Sequence, residues 1–407
     1  MKTFPPVLAC VLLAAIVGCA SPGAGSGGTG GDMGTGGTTS AQTCMPGDPT
    51  PATGGAAFPF PQHRLSPYCY YPPACSDADV TTAWTKYKST FIVASGNTLR
   101  VQRPEDGNDT VSEGMGYAMI AAMYMTDKPT FDGLWAYVSQ HLDGNGIMNW
   151  HYTSTGSLSG SGGATDGDED IAFALVMADK QWGGYTTPAK AMITAILSHE
   201  VESGSNVLKP GDNFGGSSQL DPSYIAPAYY RVFASYSGNS QWMSVLSANA
   251  AVLSRCANAT TGLVPDWCTA SGSAIAPPGG GATTAYGYDA ARTPFRVALD
   301  ACWSNDPGSM AEAGKLATFF DGLGLNNVRD GYTLTGTVTG GSYQLVFQGP
   351  AAVTGMAADK TQLVIDGYNR MKQVVANGGA AYTYFGASWG LLTQLMMTGN
   401  FVDFTSP

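Results

Sequence analysis

Apolar side chains recur every three to four positions along most of the chain beyond residue 59, which is the spacing of helices that bury one face. Loops rich in Gly, Asp, Asn and Ser separate these stretches and mark their ends. The pattern predicts twelve helices, at about residues 79–93, 112–126, 129–142, 168–183, 187–200, 222–236, 240–256, 285–303, 307–321, 348–357, 360–376 and 383–398. The fold class is therefore predicted to be all-α.

One stretch breaks the helical spacing. Residues 332–346 alternate apolar and polar side chains, which predicts a short β-hairpin. No motif repeats at a period of about 20–50 residues, and this argues against an open solenoid. Twelve helices can close as six inner and six outer helices, an (α/α)6 barrel with a small β-hairpin insertion, but an irregular helical bundle has the same periodicity.

The first 18 residues have the form of a lipoprotein-type signal peptide. One Lys precedes an apolar run from Val7 to Val17, which is too short to span a bilayer stably. The run ends in Ile-Val-Gly-Cys, which is typical of signals whose Cys, here Cys19, becomes the lipidated first residue; an ordinary signal cleaved nearby is the alternative. Because Ala20 replaces the Asp that retains many lipoproteins at the inner membrane, we expect export and a lipid anchor in the bacterial outer membrane, or secretion.

Residues 19–58 are mainly Gly, Ser, Thr and Pro, without Lys or Arg. Such a composition cannot bury a core, so it predicts a flexible tether. Residues 59–407 then form a single folded domain.

Acidic residues outnumber basic ones, 30 Asp and Glu to 19 Lys and Arg, for a net charge of −11 at pH 7. This balance has the wrong sign for neutralising nucleic-acid phosphates or anionic headgroups. We therefore expect no nucleic-acid partner, and a membrane contact only through the N-terminal lipid anchor. The protein is also expected to be a monomer.

Six cysteines follow the predicted signal peptide and lipidation site. In an oxidising exterior this even number favours disulfides, and we expect the pairs that are close in sequence, Cys69–Cys75 and Cys256–Cys268. No two cysteines have the C-x-x-C spacing and the chain has only four His, so no metal site is predicted.

The strongest local signal is an acidic run, Asp166 and residues 168–170, at the start of an apolar helical stretch. Acids at a solvated helix start complement the helix dipole, and that is one explanation of the run. A calcium-binding EF-hand loop is excluded, because Ile171 stands where that loop needs Gly and Met177 where it needs Glu.

Two further acids stand where loops enter helical stretches. Glu113 is followed by Gly114 and Gly116, which let another group approach closely; a helix-capping acid is the alternative. Asp289 precedes Arg292 by three residues, and an ion pair between the two is the alternative to a functional role.

Four segments together resemble glycoside hydrolase family 8, an inverting family of bacterial endoglucanases, chitosanases and xylan-cleaving enzymes. They are residues 112–117, 164–182, 220–231 and 288–296, and they occur in the family's order. The resemblance covers about residues 78–402. It implies an (α/α)6-barrel catalytic domain with a polysaccharide substrate and no cofactor.

By this resemblance Glu113 is the general acid and Asp289 the general base, while Asp166 holds the sugar at the cleavage point and helps to place the water. Inverting hydrolysis needs one protonated and one ionised carboxyl group, and whether Asp166 or Asp289 is the base stays open. The resemblance also assigns substrate-binding roles to Trp150 and Tyr384 as stacking platforms, Tyr224 near the water, Arg292 beside the base, and Phe214, which stands where related enzymes often have Trp.

The resemblance implies a secreted endoglycosidase that hydrolyses β-1,4-glucan, in cellulose or in mixed-linkage glucan. Chitosan and xylan or xylo-oligosaccharides are the alternative substrates within the family, and the acidic charge balance suits polycationic chitosan. The alternative from another class is a non-catalytic surface lipoprotein that binds carbohydrate. The presence of all three expected carboxylates argues against it.

Overall fold

The computed structural model describes residues 55–278 and 285–406. The predicted signal peptide (1–18), the predicted lipidation site Cys19 and most of the predicted tether (19–58) lie outside these residues. Within the described ranges, no helix combines the length and the apolar character needed to cross a bilayer.

Twelve α-helices form in the described part of the chain, one for each predicted stretch. Two of them begin later than predicted, because 3-10 turns at Pro222–Tyr224 and Ala290–Arg292 precede α6 and α8, and each helix has a proline in its first turn. The helices are α1 (Asp77–Phe91), α2 (Ser112–Tyr124), α3 (Lys128–Gln140), α4 (Thr165–Trp182), α5 (Thr186–His199), α6 (Pro227–Ser237), α7 (Gln241–Cys256), α8 (Thr293–Ser304), α9 (Pro307–Leu323), α10 (Leu345–Ala357), α11 (Thr361–Asn377) and α12 (Tyr384–Met397).

The even-numbered helices form a closed inner ring. Each contacts the next along the chain, from α2 through α4, α6, α8 and α10 to α12, and α12 contacts α2. Every residue of α10 is buried, and so is every residue of α2 except Glu113, whereas the outer helix α11 buries one face only. A helix that is apolar on all sides needs neighbours on all sides. The chain is therefore an (α/α)6 barrel and not an irregular bundle.

The closed ring brings the starts of the inner helices together at one end of the barrel. Each outer helix returns the chain between two inner helices, so the inner helices run in the same direction. The segments that carry the acids, at the starts of α2, α4 and α8, therefore converge although they are far apart in sequence.

Glycines let α2 and α4 approach closely at this end. A Cβ atom at Gly116 would lie 2.6 Å from Cβ of Asp170, and one at Gly167 would lie 2.7 Å from the backbone N of Glu113. Side chains at these positions would push the helices apart, so the glycines of both motifs serve the α2–α4 contact.

The strands are short and lie outside the helical ring. Strands β1 (Ile92–Ser95) and β2 (Thr98–Val101) form an antiparallel hairpin that the sequence analysis missed. Strands β3 (Thr110–Val111), β4 (His151–Tyr152) and β5 (Leu158–Gly160) form a three-stranded sheet, and β6 (Ala285–Tyr286) pairs with β7 (Tyr332–Thr333).

The predicted hairpin over residues 332–346 is wrong in extent. Tyr332 forms an isolated bridge with Val338, but the strand partner of β7 is β6, nearly fifty residues earlier. Leu345 and Val346 already belong to α10. Alternation over a few positions fits both a strand and the entry to a buried helix, and the barrel core takes these apolar residues into the helix.

Two disulfides join pairs of described residues, Cys69–Cys302 and Cys256–Cys268. The second confirms the prediction and the first contradicts the predicted Cys69–Cys75 bond; Cys75 is itself disulfide-bonded. The stretch around Cys69 crosses the end of α8, where the Ser66 hydroxyl also donates to the carbonyl of Cys302. Cys69 therefore meets a cysteine that is 233 positions away, which proximity in sequence could not indicate.

Three described residues of the predicted tether, Ala56, Ala57 and Phe58, contact the barrel. Ala56 is buried, and the backbone N of Ala57 donates to the carbonyl of Gln181 at 2.8 Å. The ring of Phe58 stacks on Phe404 at 4.4 Å between centroids. These contacts join the two ends of the described chain on one side of the barrel.

Candidate active site

The guanidinium of Arg292 is the centre of the acidic end of the barrel. Its Nη1 donates to Glu113 Oε2 at 2.8 Å and to Asp166, and its Nη2 donates to Asp221 Oδ2 at 3.0 Å. Its Nη2 also lies 3.6 Å from Asp289 Oδ1. One buried cation thus gathers four carboxyl groups from four separate segments, and three of these carboxyl groups, those of Glu113, Asp166 and Asp289, were singled out from the sequence.

The geometry around Arg292 is held by neutral groups as well. Its Nε donates to Ser223 Oγ at 3.0 Å and to the Asp289 carbonyl at 3.1 Å. The ring of Tyr224 lies 4.9 Å from the guanidinium carbon, a distance at which a cation and an aromatic face attract each other. Tyr224 therefore lies beside this cluster.

The four carboxylates of the acidic run are buried, so the solvated helix start is the wrong explanation. Only Asp166 faces the Arg292 cluster. Asp168 accepts a hydrogen bond from the backbone N of Met148, and Asp170 forms two hydrogen bonds, at 2.7 and 2.8 Å, with the buried Arg296. The run therefore combines a residue of the candidate site with residues that hold the core together.

Burial and crowding favour protonation in this cluster. Burial raises the pKa of Asp166 to about 7; Arg292 opposes this rise and Glu113 adds to it. Burial also raises the pKa of Asp221 well above its usual range, with the charge of Asp289 adding to the effect. Four carboxyl groups around one guanidinium cannot all ionise cheaply, so the site retains protons near neutral pH.

Asp289 is the most exposed carboxyl group of the cluster, with 43% of its side chain exposed. Its Oδ2 accepts a hydrogen bond from Trp267 Nε1 at 2.9 Å. It is therefore the carboxylate of the cluster that water reaches most easily.

Tyr384 is buried and does not form the open stacking platform that the sequence analysis expected. Its hydroxyl donates to Glu113 Oε1 at 2.9 Å. A Cβ at Gly114 would lie 2.7 Å from that hydroxyl, so the glycine after Glu113 makes room for the contact. Tyr384 thus belongs to the site as a hydrogen-bond donor to Glu113.

Trp150 and Phe214 are the exposed aromatic residues among the predicted substrate-binding positions, at 40% and 39% of their surface. The Trp150 carbonyl accepts a hydrogen bond from the backbone N of Ser112, next to Glu113, and its ring lies over Gly160. The ring of Phe214 is stacked on Trp267 at 6.4 Å. Neither contacts the Arg292 cluster directly; both present apolar faces beside it.

A pocket of about 320 Å³ adjoins Glu113 and Asp289. Tyr288, Gln344 and Phe385 contribute to its wall, with the charged residues Arg103, Glu105 and Asp106. Its lining offers both ring faces and hydrogen-bonding groups, the combination that sugars require.

Three residues of the site escaped the sequence analysis. Asp221 lies in the segment 220–231, whose resemblance to the family pointed to Tyr224. Asp266 and Trp267 lie just before Cys268, and no motif in the sequence marks them. In the described part of the chain, no group of three or more His, Cys, Asp or Glu side chains is arranged to hold a metal ion.

Comparison with known proteins gives matches over most of the chain. The model of the family described as glycosyl hydrolases family 8 matches residues 58–399. Endoglucanase 2 of Ruminiclostridium josui is 38% identical over 367 residues, which are 86% of this chain and 78% of that protein. Endoglucanase A of Acetivibrio thermocellus is 39% identical over 373 residues, 87% of this chain and 76% of that protein.

A solved structure is similar over the same region. The apo structure of a β-1,3-1,4-glucanase from Paenibacillus sp. X4 is 28% identical, with a TM-score of 0.78. The match covers 84% of this chain and 98% of that one.

Proposed function

The chain belongs to glycosyl hydrolase family 8, and on this basis we propose that it hydrolyses internal β-1,4 bonds of glucan, in cellulose or mixed-linkage glucan, with inversion. It is a glycoside hydrolase of the endoglucanase type. The observation that carries the mechanism is the convergence of Glu113, Asp166 and Asp289 on the single guanidinium of Arg292.

Glu113 is the proposed general acid, which donates its proton to the leaving glycosidic oxygen. It lies in the wall of the pocket, and each of its two oxygens is held, one by the Tyr384 hydroxyl and one by Arg292. A fixed carboxyl group loses little entropy when it meets the glycosidic oxygen, which is where positioning lowers the barrier.

Asp289 is the proposed general base, which takes a proton from the attacking water. It is exposed on one side, and it meets Nη2 of Arg292 whereas Glu113 meets Nη1. The guanidinium therefore stands between the two carboxylates. Inversion needs roughly 6.5–9.5 Å between acid and base so that a water fits, and binding to different nitrogens of one guanidinium keeps the two carboxyl groups apart.

Asp166 is proposed to hold the sugar at the cleavage point. Among the described residues its buried Oδ1 has no hydrogen-bond partner, which is costly unless a ligand supplies one. Because its pKa is raised to about 7, Asp166 carries a proton for part of the time near neutral pH. A shared proton suits a hydrogen bond to a sugar hydroxyl better than it suits the base, so Asp289 is the preferred base.

The exposed faces of Trp150 and Phe214 are proposed to bind sugar rings on either side of this centre. Aromatic rings cover the apolar faces of pyranoses and lose few rotamers when they do so. Phe214 offers a smaller face than Trp, so its subsite is the weaker of the two.

Chitosan is the second candidate substrate, because the pocket contains three acidic side chains besides Glu113, namely Glu105, Asp106 and Asp289, against one arginine. An excess of carboxylates attracts the ammonium groups of a glucosamine polymer. Proton NMR of the digestion products of glucan and chitosan hexamers separates the two substrates.

The decisive test is proton NMR of the anomeric signals during digestion of cellohexaose, beside hexamers of chitosan and of xylose. We expect the α-anomer to appear first from cellohexaose. Early β-anomer would refute inversion, and cleavage of chitosan or xylan without cleavage of glucan would refute the proposed substrate.

Glu113→Gln and Asp289→Asn should each abolish turnover with little change in thermal unfolding. Glu312→Gln, in an ion pair with Lys315 on the outer helix α9, is the matched control and should keep wild-type rates. Near-wild-type turnover in either site variant would show that its proposed role is wrong.

We propose further that Cys19 carries the lipid that anchors the protein to the outer membrane. Cys19→Ala should move the full-length protein from the membrane to the soluble fraction. Cys10→Ala, inside the predicted signal, is the control and should leave partitioning unchanged. Membrane partitioning of the Cys19 variant equal to that of wild type would contradict the anchor.

A further inference from the structure

The segment Asp266–Cys268 runs between the two stretches that hold the acidic cluster on this side of the barrel. Cys268 exchanges two backbone hydrogen bonds of 2.9 Å with Leu220, next to Asp221. The backbone N of Asp266 donates to the carbonyl of Ala285, in the strand that leads to Asp289. Whatever fixes this segment therefore also fixes the loop of the proposed base.

Asp266 binds the backbone on both sides of Asp289. Its Oδ1 accepts hydrogen bonds from the backbone N of Gly287 at 2.9 Å and of Ala290 at 2.8 Å. A Cβ at position 287 would lie 2.3 Å from Asp266 Oδ2, so Gly287 is what allows the carboxylate to come this close. The loop that carries Asp289 is thus clamped at two backbone atoms.

Trp267 acts on the Asp289 side chain itself. Its Nε1 donates to Asp289 Oδ2 at 2.9 Å, while Oδ1 faces Arg292. The indole is only 6% exposed, and Phe214 stacks on it, so it has little open surface with which to bind a sugar. The hydrogen bond to the Asp289 carboxylate is therefore the contact through which Trp267 can affect the reaction.

A disulfide bond also fixes the segment Asp266–Cys268. Cys268 is joined to Cys256, the last residue of the outer helix α7. The indole is therefore carried by a backbone that is fixed by strand-like hydrogen bonds, by the disulfide and by the Asp266 clamp.

We propose that Trp267 is a positioning residue for hydrolysis: its indole N–H holds one oxygen of Asp289, so that the exposed side of the carboxylate is aimed at the attacking water. This inference rests on the proposed role of Asp289 as the base. The hydrogen bond from Trp267 to Asp289 then serves catalysis and not the stability of the fold. The N–H also stabilises the ionised carboxylate over the protonated one, because only the ionised form accepts fully at both oxygens.

The test compares Trp267→Phe with Trp84→Phe in the full chain. Both variants delete an indole N–H that donates to an aspartate, since Trp84 Nε1 binds Asp127 Oδ2 at 3.2 Å on the outer side of the barrel. Trp267→Phe should lower kcat about ten- to a hundredfold, the scale of one hydrogen bond to a charged group, with KM changed less than about threefold. The acidic limb of its kcat profile should move to higher pH, and Trp84→Phe should show neither change.

The shift of the acidic limb is the readout that a structural role would not produce. The other titratable groups around Asp289 lie in its own contacts and in the shared pocket, and the substitution leaves all of them in place. They are Arg292, Asp221, Asp266 and Tyr224, and in the pocket Arg103, Glu105, Asp106, Glu113 and Tyr288. If Trp267→Phe loses thermal stability but keeps the wild-type limb and kcat, the proposal is overturned. If instead Asp289→Asn is as active as wild type, it is the proposed function that has failed.

A measurement on the wild-type fold covers the case in which Trp267→Phe does not fold. In a ¹⁵N-labelled protein, one indole N–H resonance should titrate with the midpoint of the acidic limb, and that titration should vanish in Asp289→Asn. Indole resonances that are all insensitive to this substitution would refute the contact.

Discussion

The two aspartates at either end of the acidic run should respond in opposite ways to the same substitution. Asp170 and Arg296 are 1% and 2% exposed and form a two-point ion pair inside the barrel. Asp170→Asn keeps the shape but leaves the guanidinium charge buried without its partner. Breaking a buried pair in this way costs about 3–5 kcal/mol. An unfolding entropy of about 2.1 cal/mol/K per residue over roughly 350 residues gives a shift of about 1.4 °C per kcal/mol, so the melting temperature should fall by about 4–7 °C.

Asp166→Asn, four positions earlier on α4, should do the reverse. Because the pKa of Asp166 is raised to about 7, at about pH 6 the residue is mostly protonated, and the amide imitates that neutral form. We expect a melting temperature at or above that of wild type, because at this pH the unfolded wild-type chain gains stability by ionising Asp166 whereas the folded chain does not. Turnover should fall about a hundredfold or more.

Circular dichroism melts and urea titrations at about pH 6, with turnover on a soluble β-glucan, measure both effects. Lys180→Gln, an exposed change in the last turn of the same helix, controls for substitution in α4 as such. If Asp170→Asn melts within a degree or two of wild type, or if both variants lose stability equally, the division of this run into a binding residue and core residues is wrong.

Three further outcomes follow from particular contacts. Trp150→Ala should weaken binding of long oligosaccharides more than it slows bond cleavage. Binding is measured by calorimetric titration of an inactive variant with and without Trp150→Ala, and an unchanged binding curve would show that Trp150 does not bind the substrate. The stability of Asp166→Asn relative to wild type should increase as the pH rises from about 4 to about 7. Over this interval Asp166 ionises in the unfolded wild-type chain but stays protonated in the folded one, so the wild-type fold loses stability and the Asn variant does not. Urea unfolding at several pH values measures this trend, and its absence would contradict the raised pKa. Gly116→Ala should destabilise the fold by about 1–3 kcal/mol and lower turnover, since the new methyl group would lie 2.6 Å from Cβ of Asp170. The control is Gly314→Ala on α9, where a Cβ has open space, and it should be neutral or stabilising. Equal effects of the two glycine substitutions would argue against close α2–α4 packing as the reason for Gly116.

The helices were predictable because their periodicity is strong, and each predicted stretch overlaps one helix. The errors lie where tertiary contacts outweigh the local pattern. Residues 332–346 alternate like a hairpin, yet Leu345 begins a buried inner helix. Cys69 pairs with Cys302 because the stretch around Cys69 crosses the end of α8. Local periodicity carries no information about which distant segment lies alongside.

Through the resemblance of its motifs to a family, the sequence pointed to Glu113, Asp166 and Asp289, which the structure brings together at Arg292, but it did not point to Asp221. Tyr384 was assigned to an open platform, although its ring is buried and its hydroxyl binds Glu113. Asp266 and Trp267 carried no signal of their own, because a single acid and a single indole beside a cysteine are common in any sequence.

The sequence by itself determined the chain's helical content, the acidic motifs and the glycines that accompany them, because periodicity and residue type are local properties. Tertiary structure decided which acids of one run face the site and which face the core. It also decided that Arg292, which lies 179 positions from Glu113 in sequence, joins Glu113, Asp166 and Asp289. These contacts depend on closure of the inner ring, and that closure is a property of all six inner helices together.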